Sequence, residues 1–229
     1  DCTGQTGNYS FNWYTVENTD LICFDGCDIL TGGAKYSVMG PSSLATCYPP
    51  HAFVMANCDV TVNQAYGSAT SQVFEFLKIG GSPNSEYLKE VIFDNNIFNN
   101  VGKSQFRLFS FSTSGFDYSA TVDVSMTNNT LYNCALRDCL CMYGQLVNVT
   151  ASKNIVCSVD ITEPNTNAKY FFRNYKSASE TSVTPAGIVD AEDNIIYYPS
   201  NFRAYSNSGS VFVFTIWTIH TNLYKFIVY

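Results

Sequence analysis

The stretch VIFDNNIFNN, residues Val91–Asn100, carries the pattern that decides the fold. Apolar and polar residues alternate up to an asparagine turn, and a second short apolar run follows it, which is typical of a strand, a turn and a strand. The same order recurs in VSMTNNTLYN, VTASKNIVCS and VDAEDNIIYY, which begin at Val124, Val149 and Val189. We interpret the four segments as an internal repeat, and a repeat takes precedence over local predictions of structure.

Aligning the segments places one turn asparagine of each at the same slot: Asn96, Asn129, Asn154 and Asn194. Two weaker relatives, LICFDGCDIL (Leu21–Leu30) and FVMANCDVTV (Phe53–Val62), put Gly26 and Asn57 near that slot. The four asparagines are 33, 25 and 40 residues apart. This spacing is too irregular for a repeat of fixed length, but it is natural for constant turns joined by variable loops.

Asparagine suits such a corner for two reasons. It tolerates left-handed backbone geometry, and its amide both donates and accepts, so equivalent residues can stack in a hydrogen-bonded ladder. The sequence therefore predicts strands around each turn and a ladder of the four asparagines, with no segment of sustained helical periodicity. The predicted loops are Gly32–Pro50, Gly80–Glu86, Gly102–Ser119, Thr162–Lys169 and Ser177–Gly187.

The segments FDNNIFNNVG and MTNNTLYNC, followed by DNIIYYPSN and a terminal TNLY, resemble the right-handed parallel β-helix proteins of the pectate-lyase-like superfamily. More narrowly, they are similar to β-helix domains of secreted surface proteins from glycan-utilising bacteria. The resemblance covers about Ser68–Tyr229, and the nine cysteines depart from that group. The prediction is an all-β, right-handed parallel β-helix of about six irregular coils. It forms one domain over residues 1–229, with a sub-boundary near 80–86.

The composition agrees with strands and excludes several classes of protein. Aromatic residues make up 15% of the chain and charged residues only 14%, which favours a β fold over a helical bundle. Twelve Lys and Arg against 19 Asp and Glu give a net charge of -7, which disfavours a nucleic acid partner. The most apolar run, Val211–Ile219, is shorter than the roughly 20 residues of a membrane-spanning helix, so no span is predicted.

The opening residues read as the start of a mature, exposed segment, and nine cysteines suit an oxidising compartment, with at least one left unpaired. We therefore expect a secreted or cell-surface protein. Cys23 and Cys27 flank a turn, where core stacking or a local disulfide is expected. A second group has spacing that is poor for zinc, so buried thiols or a disulfide are favoured and no metal site is predicted. That group is Cys134, Cys139, Cys141 and Cys157.

One acidic cluster has the composition of a catalytic or cation site. Asp190 and Glu192 share a strand face by alternation, while Asp193 occupies the turn. The equivalent residues of the preceding repeat are not acidic, so a two-coil acidic site is not predicted. Those equivalents are Thr150, Ser152 and Lys153.

Two aromatic stretches with cations, YFFRNYK and NFRAY, are the best candidates for a binding groove on adjacent coils. Ring faces pack against sugar C–H surfaces, and Arg or Lys bonds hydroxyl, uronate or sulfate groups. The alternative is that the rings belong to the core and the cations extend to solvent. The predicted glycan-binding residues are Tyr170, Phe172, Arg173, Tyr175, Lys176, Arg203 and Tyr205.

The resemblance and the missing acid pair together favour an extracellular, noncatalytic module that binds a polysaccharide or oligosaccharide or serves as a surface scaffold. No cofactor is expected. The first alternative is a polysaccharide lyase or glycoside hydrolase, with calcium expected only for a lyase. The second is an adhesin or assembly subunit, whose partners would be other cell-surface proteins.

Overall fold

The fold consists of strands, and no helix occurs in the part of the chain that the computed structural model describes. The described residues are 9–11, 19–32, 37–39, 50–63, 73–80, 88–100, 105–112, 121–134, 136–143, 146–157, 169–175, 187–197, 202–208 and 212–214. Within these ranges, no helix has the length and apolar character needed to cross a membrane.

The described residues form twenty strands. They are β1 (Tyr9–Phe11), β2 (Leu21–Asp25), β3 (Asp28–Gly32), β4 (Ser37–Met39), β5 (Ala52–Ala56), β6 (Asp59–Asn63), β7 (Val73–Gly80), β8 (Glu90–Asp94), β9 (Ile97–Asn100), β10 (Gln105–Ser112), β11 (Thr121–Thr127), β12 (Thr130–Tyr132), β13 (Leu136–Tyr143), β14 (Leu146–Ser152), β15 (Ile155–Cys157), β16 (Lys169–Tyr175), β17 (Gly187–Glu192), β18 (Ile195–Tyr197), β19 (Phe202–Ser208) and β20 (Phe212–Phe214).

Every third strand joins the same sheet, so the chain forms three parallel sheets. Sheet A has the order β1-β4-β7-β10-β13-β16-β19, sheet B the order β2-β5-β8-β11-β14-β17-β20, and sheet C the order β3-β6-β9-β12-β15-β18. One strand from each sheet makes up a structural repeat. The prediction of an all-β fold of parallel strands is confirmed for the described residues. Pairing of β5 with β8 continues sheet B across the predicted sub-boundary at 80–86.

Two of the predicted loops contain strands of sheet A, and that part of the prediction is wrong. Strand β4 lies within Gly32–Pro50, and β10 lies within Gly102–Ser119. The reason is that the asparagine pattern aligns only the strands of sheets B and C, which flank the turn. The third strand of each repeat has its own alternation, visible in the QFRLFSFS of β10. Four loop ends are also strand residues: Gly32, Gly80, Lys169 and Gly187.

The core is formed by alternate residues of the three sheets. In β8, the side chains of Val91 and Phe93 are fully buried, whereas the side chain of Glu90 is exposed to solvent. The Phe93 ring lies 5.9 Å from the ring of Phe53 and 6.2 Å from that of Phe98. Because each repeat adds such rings at the same positions, the apolar interior continues from one repeat to the next.

A left-handed residue makes the sharp turn between sheets B and C, but it is not the aligned asparagine. In the four firm segments the residue just before it has a positive φ of 53 to 57°. The expectation that Asn96 and its equivalents themselves take up the left-handed geometry is therefore wrong. Gly26 and Asn57 also have positive φ, at 63° and 55°. These two residues therefore hold the left-handed position, and the following cysteines occupy the asparagine slot. The four left-handed residues of the firm segments are Asn95, Asn128, Lys153 and Asp193.

The aligned asparagines form the predicted ladder of hydrogen-bonded side-chain amides. Asn96 Nδ2 donates to Asn129 Oδ1 at 2.9 Å, Asn129 Nδ2 to Asn154 Oδ1 at 3.0 Å, and Asn154 Nδ2 to Asn194 Oδ1 at 2.8 Å. The backbone N–H of each of these donors reaches the same oxygen at 3.0 Å. The second amide hydrogen of Asn129 bonds the Phe93 carbonyl at 2.8 Å. Each buried amide is thus satisfied within the ladder.

Replacing Asn129 by alanine should lower the free energy of unfolding by about 3 kcal/mol or more, because each buried polar group left unpaired costs about 1–3 kcal/mol. The groups left without a partner are the Asn96 amide and the Phe93 carbonyl. Urea unfolding measures the change. The control is Asn128→Gly, which keeps the left-handed turn and should change stability by less than about 1 kcal/mol. Equal losses in the two variants would show that the ladder has no special role.

Lys153 holds the left-handed position with a φ of 56°, where a side chain without a local hydrogen bond is disfavoured. We expect Lys153→Asn to raise the free energy of unfolding by about 0.5–1 kcal/mol, and Lys153→Val to lower it by at least about 1 kcal/mol. Lys89→Asn, at an exposed site without positive φ, is the control and should bring no gain. Unfolding midpoints of the four proteins test the order.

Candidate functional site

The candidate site is a line of paired residues that crosses sheet A. Arg107 of β10 is paired in register with Glu75 of β7 on one side and with Asp138 of β13 on the other. The same line continues from Asp138 to Tyr170 of β16 and then to Arg203 of β19. We call these five residues the charged row. It places acidic, basic and hydroxyl-bearing residues on five successive strands.

Parallel pairing sets the spacing of this row. Neighbouring strands lie about 4.8 Å apart, so the backbones of Glu75 and Asp138 are about 10 Å from each other, with Arg107 between them. The register between β10 and β13 shifts at Phe106 and Arg107, because Arg137 is passed over in the pairing. Such bulges redirect side chains and are common beside functional sites. The irregularity therefore falls at the centre of the charged row.

Arg107 is unusual among the described side chains. Its exposure is 5%, and the other buried polar side chains in the described ranges are the ladder asparagines Asn96, Asn129 and Asn154. A guanidinium keeps its charge in proteins, so burial requires nearby acceptors. The register supplies acidic residues on both neighbouring strands.

The seven predicted glycan-binding residues fall into different register lines. Tyr170 and Arg203 belong to the charged row. Phe172 pairs with Tyr205, and that line runs on through Leu140, Phe109 and Leu77, which are fully buried. This continuity favours the core alternative for the two aromatic residues.

The remaining candidates lie on other lines. Arg173 pairs with Ser206, and Tyr175 pairs with Ser208. Lys176 lies outside the described residues, and the structure describes only the backbone of the other six. Strands β16 and β19 are neighbours, as two adjacent repeats require. Whether these residues bind a glycan stays a prediction.

The acidic cluster lies as the sequence predicts. Asp190 and Glu192 belong to β17 and pair with Thr150 and Ser152 of β14, while Asp193 makes the turn with a φ of 53°. One oxygen of Asp190 is buried without a hydrogen-bond partner. The β14 residues that pair with Asp190 and Glu192 are not acidic.

Four described cysteines carry free thiols: Cys23, Cys27, Cys58 and Cys157. Cys134 and Cys139 are buried, which agrees with the expectation of buried thiols, and Cys157 is half-buried. Cys23 is exposed and Cys27 half-buried, and the local disulfide considered for them is not formed. Within the described ranges, no group of three or more His, Cys, Asp and Glu side chains is arranged to hold a metal ion.

Sheet C carries an exposed apolar strip on its outer side. Ile97, Ile155 and Ile195 are 48%, 41% and 51% exposed, and they lie on one register line with Thr130. Tyr132, two residues after Thr130 on the same strand, is also exposed. Apolar side chains aligned in this way are typical of surfaces that contact another molecule. This strip is the feature that an assembly subunit would use.

Comparison of the chain with protein-family models, with curated proteins and with solved structures gives no match. The role of the charged row therefore has to be inferred from the chemistry of its own residues. Sequence reasoning missed Glu75, Arg107 and Asp138, because β7, β10 and β13 lie outside the asparagine pattern. The available signal was the alternation in QFRLFSFS and LRDCLCMY, each of which places a charged residue near the start of a strand.

A double-mutant cycle tests the electrostatic part of the charged row. We expect Arg107→Met to be coupled to Glu75→Gln or to Asp138→Asn by about 1–3 kcal/mol, because opposite charges on neighbouring paired strands contribute non-additively. Urea unfolding of the single and double variants gives the coupling. Glu90→Gln, an exposed acid of sheet B, is the control and should be additive with Arg107→Met within about 0.5 kcal/mol. Additivity with both row acids would contradict an ionic row.

Proposed function

We propose that the chain is a right-handed parallel β-helix of about six irregular coils, as the resemblance to the pectate-lyase-like superfamily implies. The return of every third strand to the same sheet supports this proposal. The asparagine ladder supports it too, because stacked amides require equivalent turns on successive repeats. One solenoid of this kind would make residues 1–229 a single domain.

For function, we propose an extracellular, noncatalytic module, secreted or at the cell surface, that binds a polysaccharide or serves as a scaffold. The charged row is the observation that carries this proposal. Its acidic residues can accept hydrogen bonds from sugar hydroxyls and Arg203 can donate them, whereas Arg107, only 5% exposed, contributes charge and no direct contact with the polymer. The strand spacing of about 4.8 Å is close to the length of one pyranose unit. Successive strands would then contact successive sugars.

The charge of the row indicates the class of glycan. Glu75 and Asp138 flank Arg107, so this part of the row presents no excess positive charge to an anionic polymer. The whole chain is acidic, with a net charge of -7, and long-range repulsion would slow the approach of a polyuronate or a sulfated chain. A neutral polysaccharide is therefore the preferred ligand.

Calorimetric titration against neutral and acidic polysaccharides of plant, host and microbial origin tests the proposal. We expect binding of a neutral polymer that weakens about 10-fold in Tyr170→Ala and in Arg203→Ala, since each variant loses about 1.4 kcal/mol of contact energy. Lys89→Ala, at an exposed site just before β8, is the control and should bind like the parent. Absence of binding to every polymer would remove the glycan proposal and leave the scaffold.

The same row favours a glycoside hydrolase as the second candidate. Inverting enzymes hold two carboxyl groups about 6.5–9.5 Å apart, and Glu75 and Asp138 sit on strands about 10 Å apart. New reducing ends from a bound polymer, lost in both Glu75→Gln and Asp138→Asn, would establish hydrolysis. A lyase would instead release an unsaturated product that absorbs ultraviolet light, with calcium as an expected requirement. Intact polymer after long incubation would favour the noncatalytic module.

A further inference from the structure

In the two weaker segments of the repeat, Leu21–Leu30 and Phe53–Val62, a cysteine stands at the position that the ladder asparagine has in the other four. Asp25 pairs with Ala56 and Asp28 pairs with Asp59, so the residues between them, Cys27 and Cys58, lie opposite each other. The Asp59 backbone N–H donates to the Cys27 carbonyl at 3.0 Å. Neighbouring parallel strands place Cα atoms about 4.8 Å apart, within the range of about 4.4–6.8 Å that a disulfide bridges.

The Cys58 thiol repeats the hydrogen bonding of the ladder amides. Cys58 Sγ points to the Phe24 carbonyl of the preceding repeat at 3.6 Å, as Asn96 Nδ2 does to the Met55 carbonyl at 2.9 Å. The Cys58 backbone N–H also donates to Asn96 Oδ1 at 3.0 Å, so the ladder continues into this residue. Beyond it, no amide links Cys58 to Cys27. The thiol pair replaces one step of the ladder.

The two thiols differ in access. Cys58 is 2% exposed, whereas Cys27 is half-buried and its Sγ is 3.5 Å from the Asp25 carbonyl oxygen. Burial raises the pKa of the Cys58 thiol, and the neighbouring Cys27 thiol adds to this effect. Both are free in the structure. Cys27 is therefore the thiol that a small reagent reaches first.

We propose that Cys27 and Cys58 form a dithiol that closes to a disulfide by exchange with a small-molecule disulfide, joining the first two ladder repeats covalently. The Cys27 thiolate attacks the small disulfide, forms a mixed disulfide and releases one small thiol. The Cys58 thiol then loses its proton to solvent, and its thiolate attacks Cys27 Sγ and releases the second small thiol. Two protein thiols are oxidised and one small disulfide is reduced to two thiols.

This pair is distinct from the other described cysteines. Cys157 pairs in register with Tyr132, and Cys141 pairs with Ser110 and Arg173, so neither of them faces a cysteine on an adjacent strand. In the ranges that the structure describes, direct opposition of two cysteines occurs at Cys27 and Cys58. Closing the bond requires the two turns to approach by about 0.3–1 Å, since parallel Cβ atoms start about 4.8 Å apart and a disulfide holds them about 3.8–4.5 Å apart. A turn at the edge of two sheets permits such a shift more easily than a strand centre.

The full-length chain is equilibrated with reduced and oxidised glutathione at several ratios, quenched with acid, alkylated and mapped by mass spectrometry. We expect a peptide pair linked through Cys27 and Cys58, and a higher urea midpoint for the linked form. Before linkage, Cys27 should react with a thiol reagent at least about 10-fold faster than Cys58. Recovery of both residues as alkylated thiols at every ratio, or linkage of either to another cysteine, would overturn the proposal.

Variants identify the order of the two steps. Cys58→Ser should accumulate the mixed disulfide of Cys27 with glutathione, because the resolving thiol is absent. Cys27→Ser should leave Cys58 largely unmodified. Cys134→Ser removes a buried thiol from another turn and should leave the Cys27–Cys58 linkage unchanged. If one of these cysteine variants fails to fold, disulfide mapping of the parent chain decides the proposal by itself.

Discussion

A buried asparagine amide that is satisfied on every side is the interaction on which the rest of the structure depends. Asn96, Asn129 and Asn154 each use two amide hydrogens and the side-chain oxygen inside the protein, where no water competes. A shift of one residue in any repeat would leave several buried polar groups unpaired, and each costs about 1–3 kcal/mol. The ladder therefore sets the register of sheets B and C, and through the covalent chain it limits the register of sheet A.

The charged row is a consequence of that register. Glu75, Arg107 and Asp138 belong to three different repeats, and parallel pairing alone puts them side by side. A rigid stack of strands is a good support for a site that reads an extended polymer, because each repeat offers one contact at a constant interval. The bulge at Arg137 interrupts this regularity beside the buried guanidinium. Binding and catalysis by such a row are both chemically reasonable, and the state of the polymer after contact separates them.

The N-terminal repeats use different chemistry at the same corner. A thiol is a weak donor, so Cys27 and Cys58 hold their repeats together less well than asparagine does while both are reduced. A covalent link between them would compensate for the missing amide step. The residue type at this one repeat position therefore has a physical meaning: asparagine supports the turn by strong hydrogen bonds, and a reduced cysteine pair supports it by weaker ones.

The sequence by itself determined the local unit, which is a strand, a turn and a strand with an asparagine at its corner. Alternation and turn composition depend on neighbouring residues, so Asn96, Asn129, Asn154 and Asn194 could be aligned without coordinates. Which residue of the turn is left-handed was predicted one position too late, because asparagine tolerates left-handed geometry better than the Lys153 and Asp193 that hold that position in two of the repeats.

Only the tertiary structure decided which distant residues become neighbours. Alternation tells which side of a strand a residue occupies, but the loops between repeats vary in length, so it does not tell which residue lies on the next strand. For that reason Arg107 could not be placed between Glu75 and Asp138 from the sequence. The pairing is set by the summed hydrogen bonds of whole sheets, which no single segment contains.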